Sequence, residues 1–354
     1  MKRLILADVK SYNNKGKSTG HYFAVAQNYL DLYSDCCKVE VAGGPIFKTH
    51  FNEKDIFSLP YDFLPSKNWL VSKWQVLKNC EYLFNNAQPD DIIVIQQSGL
   101  STAIMGIALF AKKKSNIYVI AYDTDAVASP IKKLIYKLAK HKIKGLLCPH
   151  KYVADAYRIP SCIITDYIYA KSNNNLKIVP FENKKYDIAI IGSIWPDKGV
   201  IEASKILAKT KYKIVIAGKA NKRLADELHE ICDNAENVEL HIGFISNEDY
   251  YGYIRNTRFC ILNYHGVYEN RSSGVVLDIL FNGSPIIGHK CKALNFITTS
   301  NVGYLFDDIK DVNFHDIINK EKYESYQKGI KEYLVTQDNY KRSVINFLSL
   351  NKRC

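Results

Sequence analysis

Short runs of apolar residues alternate with helical patterns along most of the chain. In the first half, strands are predicted at 4–7, 39–42, 91–96, 117–121, 145–148 and 161–165, with helices at 21–33, 101–113 and 130–144. Each predicted strand is apolar on both of its faces. Such strands, alternating with helices, indicate a parallel sheet that helices cover on both sides.

The same alternation starts again near residue 186. Strands are predicted at 186–192, 212–217, 238–242, 259–262 and 285–288, helices at 198–208, 224–234, 247–256 and 274–281, and a helix of mixed charge at 323–350. Polar residues with three consecutive asparagines lie between the halves. The predicted organisation is an N-terminal Rossmann-like domain (1–170), a linker (171–185), a C-terminal Rossmann-like domain (186–320) and a helical segment (321–354).

Composition narrows the class of protein. The 354 residues are 47% hydrophobic and 24% charged, as expected for globular domains, and the formal net charge of +12 favours an acidic partner. The lysines are spread out and no nucleic-acid fold signature occurs, so the sequence does not favour nucleic acid as the partner. The nine cysteines show no zinc spacing, and no signal-peptide pattern is visible. We therefore expect a cytoplasmic protein.

The strongest motif is residues 268–287, which read YENRSSGVVLDILFNGSPII. The pattern predicts a helix that begins at Gly274, with Ser272 and Ser273 before it. The free N–H groups of a helix start bind phosphate, and Arg271 can add a positive charge. Asp278 lies one turn into the helix, where its carboxylate can accept hydrogen bonds from ribose hydroxyls. An ordinary serine-capped helix explains the same residues.

This motif resembles the donor-site signature of retaining GT-B glycosyltransferases of the group 1, GT4-like family, in the branch common among surface-polysaccharide enzymes. In that signature a Ser-Gly pair precedes a helix reading roughly L-E-A-x-x-x-G-x-P-V-I, and residues 277–287 here read LDILFNGSPII. Residues 191–199, IGSIWPDKG, resemble the family's G-R-x-x-x-x-K-G loop. In the family, the lysine of that loop contacts the donor diphosphate, so the resemblance implies this role for Lys198.

Three further segments resemble the family in the same order, at 214–219, 238–245 and 301–305, so that the match spans 186–306. The resemblance implies the GT-B fold: α/β, with two facing Rossmann-like doubly wound domains and C-terminal helices. It places the acceptor on the first domain and the nucleotide sugar on the second. The implied donor-binding residues are Gly192, Ser193, Gly218, Lys219, Gly243, Phe244, Ile245, Arg271, Ser272, Ser273, Gly274 and Asp278.

Three positions depart from the family pattern. Ser193 stands where the family has a loop arginine, whose charge Arg271 or Lys219 can supply. Asp278 replaces the glutamate of the donor helix. The first glutamate of the family's E-x7-E spacing falls on Asn270, and Glu269 lies beside it. With Lys198 and Asp123, Glu269 completes the predicted catalytic set.

The first half carries weaker motifs. Residues 13–21 form a glycine-bearing loop after the first strand, which is not a P-loop, and its Gly16, Gly20 and His21 are predicted to face the acceptor. Asp123-Thr124-Asp125 matches the D-x-D metal motif of the alternative glycosyltransferase fold, GT-A. We expect Asp123 to face the reacting sugar or to cap a helix, and we expect no metal or other cofactor.

Residues 131–144 hold six lysines and no acid, with Ile131, Leu134, Ile135 and Leu138 on one helical face. Such a basic amphipathic helix can lie on an anionic membrane surface, here the inner face of the cell membrane. The other interpretation is a surface helix whose apolar face packs on the sheet.

The resemblance implies an enzyme that moves a sugar from a nucleotide-diphosphate sugar to a glycan or lipid-linked acceptor, with retention. Bacterial surface polysaccharide, such as O-antigen, capsule or lipopolysaccharide, is the implied product. Three alternatives remain open: a non-catalytic glycosyltransferase-like binding subunit, a DNA-modifying glucosyltransferase and a nucleotide-sugar epimerase of similar fold.

Overall fold

The computed structural model describes residues 2–13, 22–64, 68–96, 100–164 and 179–350, apart from the side chains of residues 22, 24, 270, 337 and 338. The chain forms two compact units. Unit 1 comprises Met1–Lys171 together with Gln337–Cys354, and unit 2 comprises Ser172–Thr336. Each unit is built around one parallel sheet.

The sheet of unit 1 has seven parallel strands in the order β3-β2-β1-β4-β5-β6-β7. The strands are β1 (Arg3–Ala7), β2 (Lys38–Gly43), β3 (Ile56–Ser58), β4 (Ile92–Gln96), β5 (Asn116–Ile120), β6 (Ile143–Cys148) and β7 (Ser161–Ile163). The helices are α1 (Tyr22–Tyr33), α2 (Trp69–Asn86), α3 (Leu100–Phe110), α4 (Pro130–Ala139) and α5 (Lys151–Tyr157).

Alternation along the strands of unit 1 builds two cores. In β1, Ile5 and Ala7 join a cluster under α2, α3 and α4, whereas Leu4 and Leu6 join a cluster on the opposite face under α1. Successive side chains of a strand point to opposite faces, so a strand that is apolar throughout supplies both cores.

The sheet of unit 2 has six parallel strands in the order β10-β9-β8-β11-β12-β13. They are β8 (Tyr186–Ile191), β9 (Ile214–Gly218), β10 (Val238–Ile242), β11 (Thr257–Leu262), β12 (Ile286–His289) and β13 (Gly303–Phe306). The helices are α6 (Val200–Leu207), α7 (Lys222–Cys232), α8 (Asn247–Arg255), α9 (Gly274–Phe281), α10 (Phe296–Thr299) and α11 (Phe314–Ile317).

The last helix, α12 (Lys320–Phe347), has 28 residues. Its first half belongs to unit 2, where Ile330 and Leu334 are buried in the core beside α9. Its end belongs to unit 1, where Val344 and Leu348 join the cluster that contains α1. The C-terminal residues therefore complete the core of the unit that begins the chain.

The predicted α/β class and its two doubly wound sheets are confirmed, but some element boundaries are wrong. The helix predicted at 130–144 ends at Ala139, because residues from Ile143 onward form the buried strand β6. The helix predicted at 198–208 begins at Val200, since Gly199 has a φ of +58° and separates it from a 3-10 helix that contains Lys198.

No element is predicted for residues 44–90, where the 18-residue helix α2 lies. Ser72, Gln75 and Asn79 are buried polar residues of α2 that interrupt its apolar face, so the helical period is hidden. None of the helices within the described ranges is long and apolar enough to cross a membrane.

Candidate functional site

The strand order of unit 2 fixes where a ligand site can form. From β8 the chain builds the sheet outward in one direction with β9 and β10, and then returns to add β11, β12 and β13 on the other side. In open parallel sheets, ligands bind at such a switch point, outside the carboxyl ends of the strands. Here the loops that follow β8 and β11 meet at that place.

The loop after β8 is held tightly against the end of β9. Its Gly192 has a φ of +105°, and the Ile194 N–H donates to the Lys219 carbonyl at 2.8 Å. A Cβ atom on Gly218 would lie 1.8 Å from the Gly192 carbonyl oxygen. Glycine is therefore required at Gly218 by this close approach of two backbones. Ser193 and Lys219 are exposed on the same loops.

Lys198 is the central residue of the site. Its side chain is buried, 8% exposed, and its Nζ lies 5.2 Å from the centre of the Tyr268 ring, which comes from the loop after β11. The Nζ would also lie 3.9 Å from a Cβ atom on Gly192. Burial lowers the pKa of Lys198 to about 8.

Within the described part of the chain, no acid compensates the charge of Lys198. Among the described residues, no carboxylate forms an ion pair with its ammonium group. A buried cation without a counter-charge is costly, so a fixed ammonium here favours an anionic ligand. The cation–π contact with Tyr268 offsets only part of the cost.

The prediction that serine caps the start of α9 is wrong. The Ser273 side chain forms no capping bond, and its Oγ lies 2.9 Å from the hydroxyl of the buried Tyr264 instead. Ser273 is bonded instead to Tyr264, which lies two residues beyond β11. The first N–H groups of a helix have no helical carbonyl as a partner, and the helix dipole favours a negative charge there.

Asp278 is buried within α9, with 7% of its surface exposed. The Tyr250 hydroxyl, from α8, donates to its Oδ2 at 3.1 Å. A carboxylate oxygen accepts more than one hydrogen bond, so Asp278 can bind a hydroxyl of a ligand while keeping Tyr250.

Glu269 and Arg271 lie in the loop after β11. Glu269 Oε1 accepts the backbone N–H of Gly266 at 3.1 Å, which closes a 3-10 helix over Gly266–Asn270. Arg271 is exposed and extended, and Ser272 is half-buried beside it. Asp197 fastens the same loop to the loop after β8, since its carbonyl accepts the His265 N–H at 2.7 Å.

The loop after β10 presents an aromatic ring to solvent. Gly243 has a φ of +144°, and Phe244 is 93% exposed, whereas Ile245 packs against the core beside α8. A large apolar ring in water is unfavourable, and a flat ring stacks well on a planar heterocycle. The resemblance of residues 238–245 to the family segment that lines the nucleobase predicts this role for Phe244 and Ile245, and it stays a prediction.

In unit 1, Asp123 follows β5 and its Oδ1 accepts the Asp125 N–H at 2.9 Å. Asp125 forms an ion pair with Lys132 at 2.7 Å. Within the described ranges, no group of three or more His, Cys, Asp or Glu residues could hold a metal ion. Gly16, Gly20 and His21 lie outside the described residues.

Three residues have no functional role assigned from the sequence, although the structure places them at or beside the switch points. Tyr268 stands in the motif but received no role, because its contact with Lys198 joins two loops that are distant in sequence. The Tyr250 bond to Asp278 is likewise a tertiary contact.

Asp8 follows β1 at the switch point of unit 1. Burial raises the pKa of its carboxyl group to about 6, while the N–H groups of Lys10 and Ser11 donate hydrogen bonds to it. In the sequence, the feature that could have identified Asp8 is an acidic residue directly after a buried strand.

Comparison with known proteins identifies the fold. The sequence matches no protein-family model and no curated protein. Many solved structures are similar, however. Sucrose-phosphate synthase from Thermosynechococcus elongatus has a TM-score of 0.70 and 13% identity, covering 99% of this chain and 98% of its own. HepE from Anabaena, in complex with UDP, has a TM-score of 0.67 and 14% identity, covering 99% and 100%.

A trehalose-6-phosphate synthase, studied for enzymatic glycosyltransfer with retention, has a TM-score of 0.71 and 10% identity, covering 98% of this chain and 99% of its own. At these identities the likeness shows the fold. The chain thus has the GT-B fold, as predicted: α/β with two Rossmann-like sheets and a C-terminal helix.

Proposed function

We propose that the protein is a glycosyltransferase that moves a sugar from a nucleotide-diphosphate sugar to a glycan or lipid-linked acceptor, with retention. The observation that carries this proposal is Lys198, a buried cation with no acid partner among the described residues, at the switch point of unit 2. The GT-B fold and the ordered motifs of residues 186–306 support it.

The proposed chemistry uses charge stabilisation. As the bond between the sugar and the diphosphate breaks, negative charge grows on the departing phosphate. The Lys198 ammonium and the N–H groups at the start of α9, behind Ser272 and Ser273, stabilise that charge before it forms, which is the most effective form of electrostatic catalysis. Glu269 and Asp123 are the proposed acidic groups on the side of the reacting sugar.

Each of the remaining donor residues contacts a different part of the nucleotide in this proposal. Asp278 holds the ribose, and Phe244 with Ile245 lines the base. The proposed diphosphate contacts are Gly192, Ser193, Gly218, Lys219, Arg271 and Gly274, with Gly243 shaping the base loop. Arg271 or Lys219 supplies the charge that the family's loop arginine provides elsewhere. No metal is needed in this scheme, because the positive charge comes from side chains and a helix start.

The proposed cellular role is the synthesis of bacterial surface polysaccharide on the cytoplasmic side of the membrane. Its support is the resemblance of residues 268–287 to that branch of the family. Gly16, Gly20 and His21 are the proposed acceptor-side residues.

A thermal-shift panel of nucleoside diphosphates and their sugars tests the donor site. UDP is the first probe, because the similar HepE structure contains it. A ligand that binds only the native state raises the melting temperature by mass action. We expect at least one nucleotide to do so in the wild type and not in Lys198→Ala. No shift with any nucleotide would refute the proposal.

Turnover of the identified donor separates the alternatives. Release of nucleoside diphosphate that is stimulated by a glycan or lipid acceptor is the expected result. Binding without any turnover would indicate a non-catalytic subunit, and conversion of the donor sugar without an acceptor would indicate an epimerase. Transfer to DNA would indicate a DNA-modifying enzyme.

A further inference from the structure

The outer face of α4 is apolar and exposed. Ile131, Leu134 and Leu138 are 73%, 60% and 58% exposed, and their spacing places them along one side of the helix. The opposite side buries Tyr136 and Ala139 against the sheet. We call Ile131, Leu134 and Leu138 the apolar ridge. Packing of these three residues on the sheet, which the sequence left open, does not occur.

Lysines that form no ion pair with a described residue lie on the same helix as the apolar ridge. Lys132 pairs with Asp125, and Lys142 donates to the Ala108 carbonyl at 2.6 Å. Lys133, Lys137 and Lys140 form no ion pair with any residue that the structure describes. Lys133 and Lys137, one turn apart, lie beside the ridge on the helix surface. The segment 131–144 contains no acid that could neutralise them.

The first turns of α2 add exposed aromatic surface. Trp69, Leu70 and Trp74 are 61%, 58% and 49% exposed, and the Lys73 ammonium lies 4.3 Å from the Trp69 ring. Helices α2 and α4 both pack against α3 over the same face of the sheet. In a parallel sheet with helical crossovers, these helices begin at the edge where the strands end. Trp69 and Ile131 therefore lie toward the same edge.

We propose that unit 1 docks on an anionic membrane surface through the apolar ridge, the lysines beside it and the exposed start of α2. Apolar side chains on such a helix enter the boundary between headgroups and acyl chains, and lysines bind anionic headgroups. Tryptophan is favoured at the same depth. A second copy of the chain fits less well, because two identical ridges would bring their lysines together.

This proposal goes beyond the proposed glycosyl transfer, because it uses none of the donor residues. Its test is co-sedimentation of the full chain with vesicles, without any substrate. Vesicles of phosphatidylcholine alone are compared with an equal mixture of phosphatidylcholine and phosphatidylglycerol. We expect the wild type to bind the mixed vesicles, to release them at high salt and to bind the neutral vesicles at least tenfold more weakly.

Two variants separate the apolar and the charged contributions. The triple variant Ile131→Ser, Leu134→Ser, Leu138→Ser and the double variant Lys133→Glu, Lys137→Glu should each bind the mixed vesicles about tenfold more weakly or worse. The controls are Lys209→Glu with Lys211→Glu, an equal change of charge at exposed positions of unit 2, and Val335→Ser, which removes an exposed apolar group. Both controls should bind like the wild type.

Tryptophan fluorescence tests the part assigned to α2. The chain has three tryptophans, so Trp195→Phe leaves only Trp69 and Trp74. Their emission should shift to shorter wavelength when mixed vesicles are added. Unchanged emission would remove α2 from the docking surface.

Undiminished vesicle binding by the triple variant would overturn the proposal. It would also be overturned if light scattering found a dimer that the triple variant disperses, without any vesicle binding, since the ridge would then contact a second copy. Circular dichroism checks the fold of each variant. Donor turnover measured without vesicles should be unchanged in the triple variant, so failure of docking and failure of the donor chemistry are seen in different assays.

Discussion

At the scale of single residues, Lys198 and Asp278 are both buried in unit 2, but their surroundings differ. Lys198 has the Tyr268 ring as its neighbour and no acid partner among the described residues. Asp278 already accepts a hydrogen bond from Tyr250. The ammonium group of Lys198 can therefore stabilise negative charge that develops during the reaction. The carboxylate of Asp278 already has a hydrogen-bond partner, which suits a ligand contact that stays the same throughout the reaction.

Substitution of the two residues should therefore affect different kinetic constants. Lys198→Ala should lower kcat by about 100-fold or more, because it removes stabilisation that is strongest in the transition state. Asp278→Asn should mainly raise the KM for the donor, since ribose contacts change little during reaction. Steady-state kinetics on both variants, with folding checked by circular dichroism, measures this. Near-wild-type constants in both would place the donor site elsewhere.

The pH dependence of nucleotide binding should also report Lys198. Burial lowers its pKa to about 8, so the free protein loses this positive charge as the pH rises through that value. A bound diphosphate favours the charged form and raises the pKa. Affinity for UDP should then fall as the pH rises above about 8, by up to about tenfold per pH unit. Titration calorimetry across this range gives the profile.

Lys198→Met is the matched control, because it keeps the length of the side chain without the charge. Its affinity for UDP should be weaker than that of the wild type and flat across the same range. A parallel decline in both proteins would assign the pH effect to another group.

At the scale of elements, polar contacts hold the loops of unit 1 in position. Asn79 of α2 is 1% exposed. Its amide donates to the carbonyls of Val9 and Tyr61 at 2.9 and 2.8 Å, and its Oδ1 accepts the Tyr61 N–H at 3.0 Å. One side chain thus joins the loop after β1 to the segment before α2. The polar residues that hid α2 in the sequence include the residue that fixes this loop.

Asn79→Ala should destabilise the protein by about 2 kcal/mol or more, because it leaves buried backbone groups without partners. The control is Asn86→Ala in the same helix, where the amide donates to the exposed Tyr82 carbonyl, and its effect should be within about 0.5 kcal/mol. Urea unfolding measures both changes. Equal stability of the two variants would show that the bonds of Asn79 contribute little.

At the scale of the whole molecule, the two sheets have the same type of strand order. In each sheet the first strand in the chain lies in the interior, and later strands lie on both sides of it. This order gives each unit one switch point. In unit 2 the switch point carries Lys198, Tyr268 and the start of α9. In unit 1 it carries Asp8 and a loop that continues beyond the described residues.

Donor turnover should survive removal of divalent metal. The proposed diphosphate site relies on Lys198 and a helix start, and Asp125 of the D-x-D segment is paired with Lys132. Activity measured with and without EDTA should agree within about twofold. Loss of activity with EDTA and recovery with Mn²⁺ would mean that carboxylates hold a metal beside the diphosphate, as in the GT-A scheme.

Local sequence determined most of the strands and helices and the two-sheet organisation, because runs that are apolar on both faces have few other stable solutions. It also marked Lys198, Ser273 and Asp278 as candidates. It did not predict the short strands β3 and β13. Local sequence did not determine the end of α4, since Ile143 and Lys144 suit a helix or a strand and pairing with β5 selects the strand β6.

Tertiary structure alone decided which partners these residues have. Ser273 could cap α9 by local geometry, but in the folded protein its hydroxyl is bonded to Tyr264, which the packing of β11 and α9 brings beside it. Ile131, Leu134 and Leu138 had the right period to face the sheet, yet they lie in solvent. Tyr136 and Ala139 face the sheet instead, and Ile135 packs against the same core. Periodicity defines an apolar face, but which face is buried depends on how the neighbouring helix and strands fill the space beneath it.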